Sequence, residues 1–594
     1  MSRNIGPAGL SVIASVTALL LVGALPFVAM PSRADSFYSI RNDATGGDCY
    51  LIGTWDRGTK TCALTTDVTG IISIDSNGIT LDGSGHSVSS SYWPIISLIS
   101  RSGVVVRNTA VQNVAPTSVS RGIQLAGGSS GNTITGNTLT GGGIFLFQSN
   151  GNAIVGNTVL GPPSSTRGER DIQLDGNGNT VAGNTLTGGS YGVLLWGRDN
   201  TVSGNRITDA SASGITVGGG SRDITVTGNT ISSNTGSEYP VASINIAQST
   251  GASLSGNVMT NGELLLNGIG TGYRREYWSS HAIDASNTVD GKPVYYLKGK
   301  ACSNIPSDAG QLILVDCPGA VVENRNLKSI ELAFSPGSTI RSNVVSARTY
   351  GINLAFSGGS TVVGNTVSGN MRGIAYSDSP AGMIQGNTVT RGGMIVHVDF
   401  VTTAGTIIEG NSVSGGVNLF WGVSGVTVTR NIIANGIGVI SSSDNTISGN
   451  SVLSWGLGLL WANGNTISGN AFSGSPYLNL YEATSNTIRE NTFAGDTVAI
   501  SLSRSDGNTI YHNNFIGITI QFSSLGTNDW ELSSDSCRAG VYSCEGNYWS
   551  DYDGLDDGTG VGKWGEARHA ADSVGDTAVP HRGLDWYPLM DPWP

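Results

Sequence analysis

One phrase recurs through most of the chain: Asn-Thr-aliphatic, two residues, then a second Asn. In eight places the two asparagines lie five apart, as in Asn132/Asn137, Asn179/Asn184, Asn445/Asn450 and Asn508/Asn513. The second asparagine returns every 19 to 28 residues, from Asn137 through Asn157, Asn184, Asn205 and Asn229 to Asn257, and again from Asn343 to Asn513. A period of this size marks a solenoid, in which each unit buries its apolar side only by stacking on its neighbours.

The stretch from Asn132 shows how one coil is built. Thr133-Ile134-Thr135 reads as a short strand with Ile134 inward. Gly136-Asn137 then bends the chain, because both residues tolerate left-handed backbone angles. Thr138-Leu139-Thr140 is a second strand, and Gly143 to Phe147 a third, with Ile144 and Leu146 inward by period-two alternation. Three short strands in a coil of roughly 22 residues predict an all-β parallel β-helix. Neighbouring coils would lie about 4.8 Å apart, so sixteen or so would build a single rod of roughly 75 Å. The bend asparagines would then stand in a buried column, each satisfying the next.

Breaks in the rhythm divide the chain. Residues 1–34 read as a signal peptide: Arg3, an apolar run from Leu10 to Val28, and Ser32-Arg33-Ala34 as a small-residue cleavage site, with a retained membrane anchor as the alternative. Residues 35–70 read as an N-terminal cap and 71–269 as coils. Residues 270–312 read as an aromatic and basic excursion folded onto the rod's flank. Coils resume over 313–522, with Asn324 restoring the first of them, and 523–594 form a C-terminal cap. Six cysteines form three close pairs: Cys49 with Cys62, Cys302 with Cys317, and Cys537 with Cys544. Distant coils of a rod cannot meet, so local disulfides are expected, with a metal site as the rival reading. Disulfides place the chain outside the cytoplasm: secreted, periplasmic or at the cell surface. Net charge is -12 with no basic-aromatic cluster of the kind that binds nucleic acid, so that partner is excluded.

Repeats of the type Gly-Asn-Thr-Ile-Ser-Gly-Asn resemble the NosD-type periplasmic right-handed β-helix family. Asp290-Gly291-Lys292-Pro293-Val294-Tyr295-Tyr296 resembles an excursion of its archaeal-type members. Gly546-Asn547-Tyr548-Trp549-Ser550-Asp551-Tyr552 and Tyr587-Pro588-Leu589-Met590 resemble its closing motif. The resemblance implies a right-handed β-helix, capped at both ends, over nearly the whole mature chain. It also implies copper handling as an accessory to a copper enzyme. The six His and seven Met are scattered, which disfavours copper.

Aligning the third strand across coils gives an outward stripe. It runs Gln124, Phe145, Gln173, Leu194, Thr216, Asn245, Glu331, Asn353, Ala375, Asn418, Gly438, Gly458, Asn479 and Ala499, with Asp175, Trp196, Phe420 and Tyr481 at the next outward position. Only one Glu and one Asp fall on it, several coils apart. Lyases, hydrolases and epimerases need clustered carboxylates or a base beside them, so a polysaccharide-active enzyme is the alternative rather than the first reading. Amides and flat rings suit sugar hydroxyls and sugar faces. Asn245, Glu331, Asn353, Asn418, Phe145, Phe147 and Trp196 are therefore the candidate glycan-binding residues. In the tail, Asp551, Asp553, Asp556 and Asp557 lie on a Gly-rich loop that resembles the family's own, with Asp576 further on. Alternating carboxylates of this kind are candidates for a structural Ca²⁺, with a metal-free acidic turn as the alternative. The chain thus reads as a non-enzymatic surface scaffold that binds a polysaccharide or a cell-surface protein.

Overall fold

The computed structural model describes residues 36–116, 120–161, 169–233, 242–267, 274–397, 402–474, 476–495, 499–517, 521–523, 527–530, 545–559, 561–563, 568, 572–579, 581 and 584–594. The signal segment lies outside them. Among the described residues no helix is long and apolar enough to cross a membrane.

The protein is a right-handed parallel β-helix with three faces. The coil read from the sequence forms strands Thr133–Thr135, Thr138–Thr140 and Gly143–Leu146, one on each face. Ile134, Leu139, Ile144 and Leu146 are fully buried. Each strand pairs in parallel with its counterpart in the next coil: Ile134 with Ile154, Leu139 with Val159, Ile144 with Ile172. Stacking thus converts a two-residue alternation into a continuous apolar core.

The bend before each ladder asparagine is left-handed. Gly136 has φ of 64°, and the slot is held at similar angles by Ser342, Arg430, Glu490 and His512. Placing a non-glycine residue there costs on the order of 1 kcal/mol. The asparagine that follows supplies the compensation. Nδ2 of Asn137 donates to the Val106 carbonyl at 2.9 Å and to Oδ1 of Asn157 at 3.0 Å; that same Oδ1 accepts the backbone N–H of Asn137 at 3.0 Å. The pattern repeats as far as Asn287 in one ladder and from Asn343 to Asn547 in another. Asn287 and Asn547 extend the ladders beyond the period read from sequence. A second column joins the first asparagine of each phrase, Asn132 to Asn200 and Asn445 to Asn528. Ser338 and Ser360 take that slot in between.

The stack is not one rod. The first-face strands fall into an 11-stranded and a 10-stranded sheet, and the buried side chains into two main clusters that divide near residue 300. The described part of the expected flank excursion, residues 274–312, forms the junction between the stacks. Ala282–Ile283 and Thr288–Val289 complete the last coil of the first stack. Lys292–Lys298 opens the second stack by pairing with Gln311–Val315. Asn324 takes the left-handed slot (φ 55°), not the ladder slot. Arg325 occupies the ladder position: its backbone N–H donates to Asn343 Oδ1 at 3.1 Å and its guanidinium to the carbonyls of Ile305 and Pro306.

Both outer ends begin or finish beyond the expected cap boundaries. Ser36–Ile40 already pairs with residues 70–74, so stacking starts inside the N-terminal cap. At the far end Tyr548–Trp549 still pairs with Asn514 and Phe515. Phe472, Phe493, Phe515 and Trp549 stack inside the core at 4.7, 5.3 and 4.5 Å. Buried Asp585 ends the ladder by accepting the Asn547 N–H at 2.7 Å and the Trp549 indole N–H at 2.9 Å.

Two of the three expected disulfides are formed. The Cys49–Cys62 bond, with Cα atoms 5.8 Å apart, ties a short helix to the hairpin beside it. Cys302 and Cys317 are joined at the junction, with Cα atoms 5.7 Å apart. The third expected pair, Cys537 and Cys544, lies outside the described residues.

Replacing a mid-ladder asparagine tests this account. Asn184→Ala removes the acceptor for Asn157 and the donor to the Ile154 carbonyl and to Asn205. With several buried groups left unsatisfied, a loss of about 3 kcal/mol or more is expected in denaturant unfolding of the first stack.

Candidate functional site

The outward stripe of the third face follows the expected register with one correction at its end. Ala499 pairs with Tyr477, and Ser501 stands opposite Asn479. The junction divides the candidate residues into three groups.

The first group is sealed at the seam between the stacks. Among the described residues the last third-face strand of the first stack, Leu264–Asn267, pairs only with Ala242–Ala247. Side chains from the outer side of the second stack supply the missing partners. Gln311 accepts the Leu264 N–H at 3.1 Å and donates back to its carbonyl. Glu331 accepts the Leu266 N–H at 3.3 Å. Glu263 in turn accepts backbone N–H bonds from Arg348 and Thr349. Ile313, Val315, Ala333 and Ala355, all outward on the second stack, join the core of the first. Trp278 packs edge-on against Phe334 and Phe356 at 5.6 and 5.8 Å. The first stack therefore ends against the flank of the second. Glu331 is 3% exposed and Asn353 5%, so both are seam residues rather than the walls of an open groove. Asn245, opposite Leu265, is half-buried.

The second group lies on the first stack. Phe145 stands between Gln124 and Gln173 in the register. Its ring is stacked with that of Phe147 at 6.2 Å. Arg121 lies with its guanidinium 4.7 Å from the Trp93 ring and 4.6 Å from that of Phe147. Trp196 covers Gly218 of the next coil so closely that a Cβ there would clash with its indole. Arg121, Arg170 and Trp93 escaped the sequence reading; the shared Arg-x-Ile-Gln-Leu phrase at 121 and 170 is a signal for the two arginines, and nothing of the kind marks Trp93.

The third group is an open trough on the second stack. Asn418, Gly438, Gly458 and Asn479 stand in line, and beside them Phe420, Ile440, Leu460 and Tyr481. The two glycines place no side chain between the two amides, and the Asn418 amide oxygen reaches over Gly438. Trp421 (53%), Trp455 (75%), Trp461 (45%) and Tyr477 (38%) stand exposed around it. Trp461 packs edge-on against Tyr481 at 5.5 Å, and its indole N–H donates to Glu482 at 3.0 Å. Glu482 is also bonded by Arg504 at 3.0 Å. The trough's tryptophans lie just outside the strands at the coil corners, where an alignment of strand positions does not look.

Four of the five tail aspartates are engaged in hydrogen bonds within the tail. Asp556 accepts the Ser573 N–H at 2.9 Å, and Asp557 the Thr559 N–H at 3.0 Å. Asp576 is buried and accepts the Gly558 N–H. Asp551 meets His581 at 3.2 Å, and Asp553 is exposed. Among the described residues no three His, Cys, Asp or Glu side chains gather in a group that could hold a metal.

Parallel coils, buried amide ladders and an outer side furnished with rings, amides and arginines define a solenoid that presents a surface. The family model described as "Periplasmic copper-binding protein (NosD)" matches residues 162–269, 318–479 and 477–554. The chain belongs to this family. No curated protein matches it. Among solved structures, the tailspike protein of E. coli bacteriophage HK620 in complex with pentasaccharide is similar at 10% identity over 76% of this chain and 74% of that chain, with a TM-score of 0.24. The catalytic unit of a thermostable GH87 alpha-1,3-glucanase from Streptomyces thermodiastaticus strain HF3-3 is similar at 14% identity over 76% and 64%, with a TM-score of 0.18.

The copper in the family's description does not fit the described residues. His281 is buried with both ring nitrogens engaged, by the Ala252 N–H and the Tyr277 carbonyl. His512 stacks on Trp593 at 3.5 Å, and His86 faces Asp67 at 3.5 Å. Four cysteines are tied in disulfides, and Met259 and Met394 are core residues. The side chain of His397 and all of Cys537, Cys544 and His569 lie outside the described residues.

The seam gives a pH prediction. Burial pushes the Glu331 carboxyl from 4.5 up to about 8, and burial raises Glu263 as well. A carboxyl raised by folding stabilises the fold fully below its unfolded value, near 4.5, and that contribution is lost as pH rises through about 8. The contribution is on the order of several kcal/mol. The thermal midpoint should therefore fall between pH 5 and pH 8, and Glu331→Gln should flatten part of that fall, the rest coming from Glu263 and Asp171. An unchanged slope in the variant would exclude Glu331 as its source.

Proposed function

We propose that this protein is a secreted, non-enzymatic β-helix scaffold that binds glycan along the outer third face of its second stack. The glycine-floored trough carries the reading. Large exposed rings grouped on successive coils mark an interaction surface. Sugars match its chemistry. Trp421, Trp455 and Trp461 offer flat apolar faces to pyranose rings, and Asn418 and Asn479 offer donors and acceptors to hydroxyls. Gly438 and Gly458 keep the floor low enough for an extended chain to lie across successive coils. The rise of about 4.8 Å per coil repeats these contacts regularly, as a repeating polymer requires.

Polysaccharides from cell envelopes, run in affinity electrophoresis with the purified protein, test the reading. At least one should retard it, and Trp461→Ala combined with Asn479→Ala should weaken that retardation by about tenfold, the worth of one stacked ring with its hydrogen bond. Unchanged retardation in the variant would remove the trough from the function. Release of new reducing or unsaturated ends on incubation would overturn the non-enzymatic reading.

A further inference from the structure

The first stack carries a feature that the trough does not explain. Arg121 and Arg170 begin two third-face strands, Arg121–Ala126 and Arg170–Asp175, two coils apart. Each donates to the glutamine three residues on: Arg121 to Gln124 at 3.0 Å and Arg170 to Gln173 at 2.6 Å. The glutamine oxygens are thereby occupied, which turns the amide NH₂ groups to other acceptors. Among the described residues neither arginine has a carboxylate partner, and both Nε atoms are buried without an acceptor. The neighbouring Asp171 does not serve, because it is 2% exposed and burial raises its pKa well above the usual carboxylate range. Burial first, and then the charge of Arg170, lower the pKa of Arg121. Two half-buried cations held near each other without a counter-ion are unfavourable in isolation. They are unexpected in a chain of net charge -12.

We propose that Arg121 and Arg170, with Gln124, Gln173, Trp93 and Phe147, form a binding site for the anionic groups of an acidic polysaccharide. A guanidinium presents a planar fork that matches a carboxylate or a sulfate. Trp93 and Phe147 already hold the Arg121 fork flat, and Trp93 remains 39% exposed to meet a sugar face. Gln124 is part-exposed, and its NH₂ suits a hydroxyl oxygen; Gln173, 6% exposed, braces Arg170. Two coil rises separate the forks by about 10 Å, a span that fits acidic groups two sugar residues apart along a polysaccharide. This deepens the glycan reading by naming a ligand class, but the site lies on the other stack from the trough and can fail by itself.

Titration calorimetry of the purified protein with polygalacturonate fragments, a sulfated glycan, neutral dextran and poly-glutamate tests the proposal. An acidic glycan should bind with an affinity that falls as salt rises, and the fragment that binds distinguishes carboxylate from sulfate. Arg121→Gln with Arg170→Gln should weaken it by about tenfold or more while leaving the thermal midpoint and any dextran binding unchanged. Should the double variant fail to fold, Arg121→Lys keeps the charge and loses the fork, and is expected to give an intermediate affinity. Equal binding by wild type and the folded variant, binding of poly-glutamate as tight as that of the glycan, or no binding of either acidic glycan would overturn the site. Loss of dextran binding through Trp461→Ala with acidic binding intact would separate the two surfaces and support it.

Discussion

Everything in this fold depends on one asparagine side chain per bend. A coil that turns sharply leaves backbone N–H and C=O groups pointing into the interior, where water cannot reach them. One amide has the two donors and the acceptor needed to serve its own corner and the coils on either side. Because each amide holds the next, coil spacing and register are fixed together. Variable segments can then leave and re-enter at other corners without disturbing the stack. This is why the distance between ladder asparagines ranges from 19 to 34 while their geometry stays constant.

The same requirement explains the ends. A ladder or a sheet that stops must hand its last polar groups to something else. Arg325 begins the second ladder, and Asp585 finishes it. At the seam, Gln311 and Glu331 replace a whole strand for Leu264 and Leu266. A glutamate performing that task in a dry interface is favoured in its neutral form. The seam's dependence on pH is therefore a consequence of how the first stack is closed.

With the interior committed to amides and aliphatics, the outer side chains are released from structural duty, except where another stack covers them. The third face shows both conditions. Around the seam it is sealed; on the four coils from Val417 to Tyr481 it is open, low and edged with tryptophan. On the first stack it carries two arginines braced by glutamine and aromatic rings. Recognition by such a protein rests on a repeating surface rather than a single cavity. The metal named in the family's description finds no gathered donor set among the described residues.

Much of this was legible from the chain alone. The asparagine period gave the coil, its three strands and its inward residues, because those follow from local alternation and bend chemistry. Pairing of Cys49 with Cys62 and of Cys302 with Cys317 followed from proximity along a stiff stack; the same argument for Cys537 and Cys544 concerns residues outside those described. The break in register at Asn324 and Arg325 did not follow, since an asparagine one position out of place looks like its neighbours until the hydrogen bonds are drawn. Nor could the sequence separate Glu331 and Asn353 from Asn418. All three occupy the same outward position of the same strand. Only the docking of one stack on the flank of the other decides which of them meets water, because burial there comes from contacts between residues far apart in the chain, which no local period encodes.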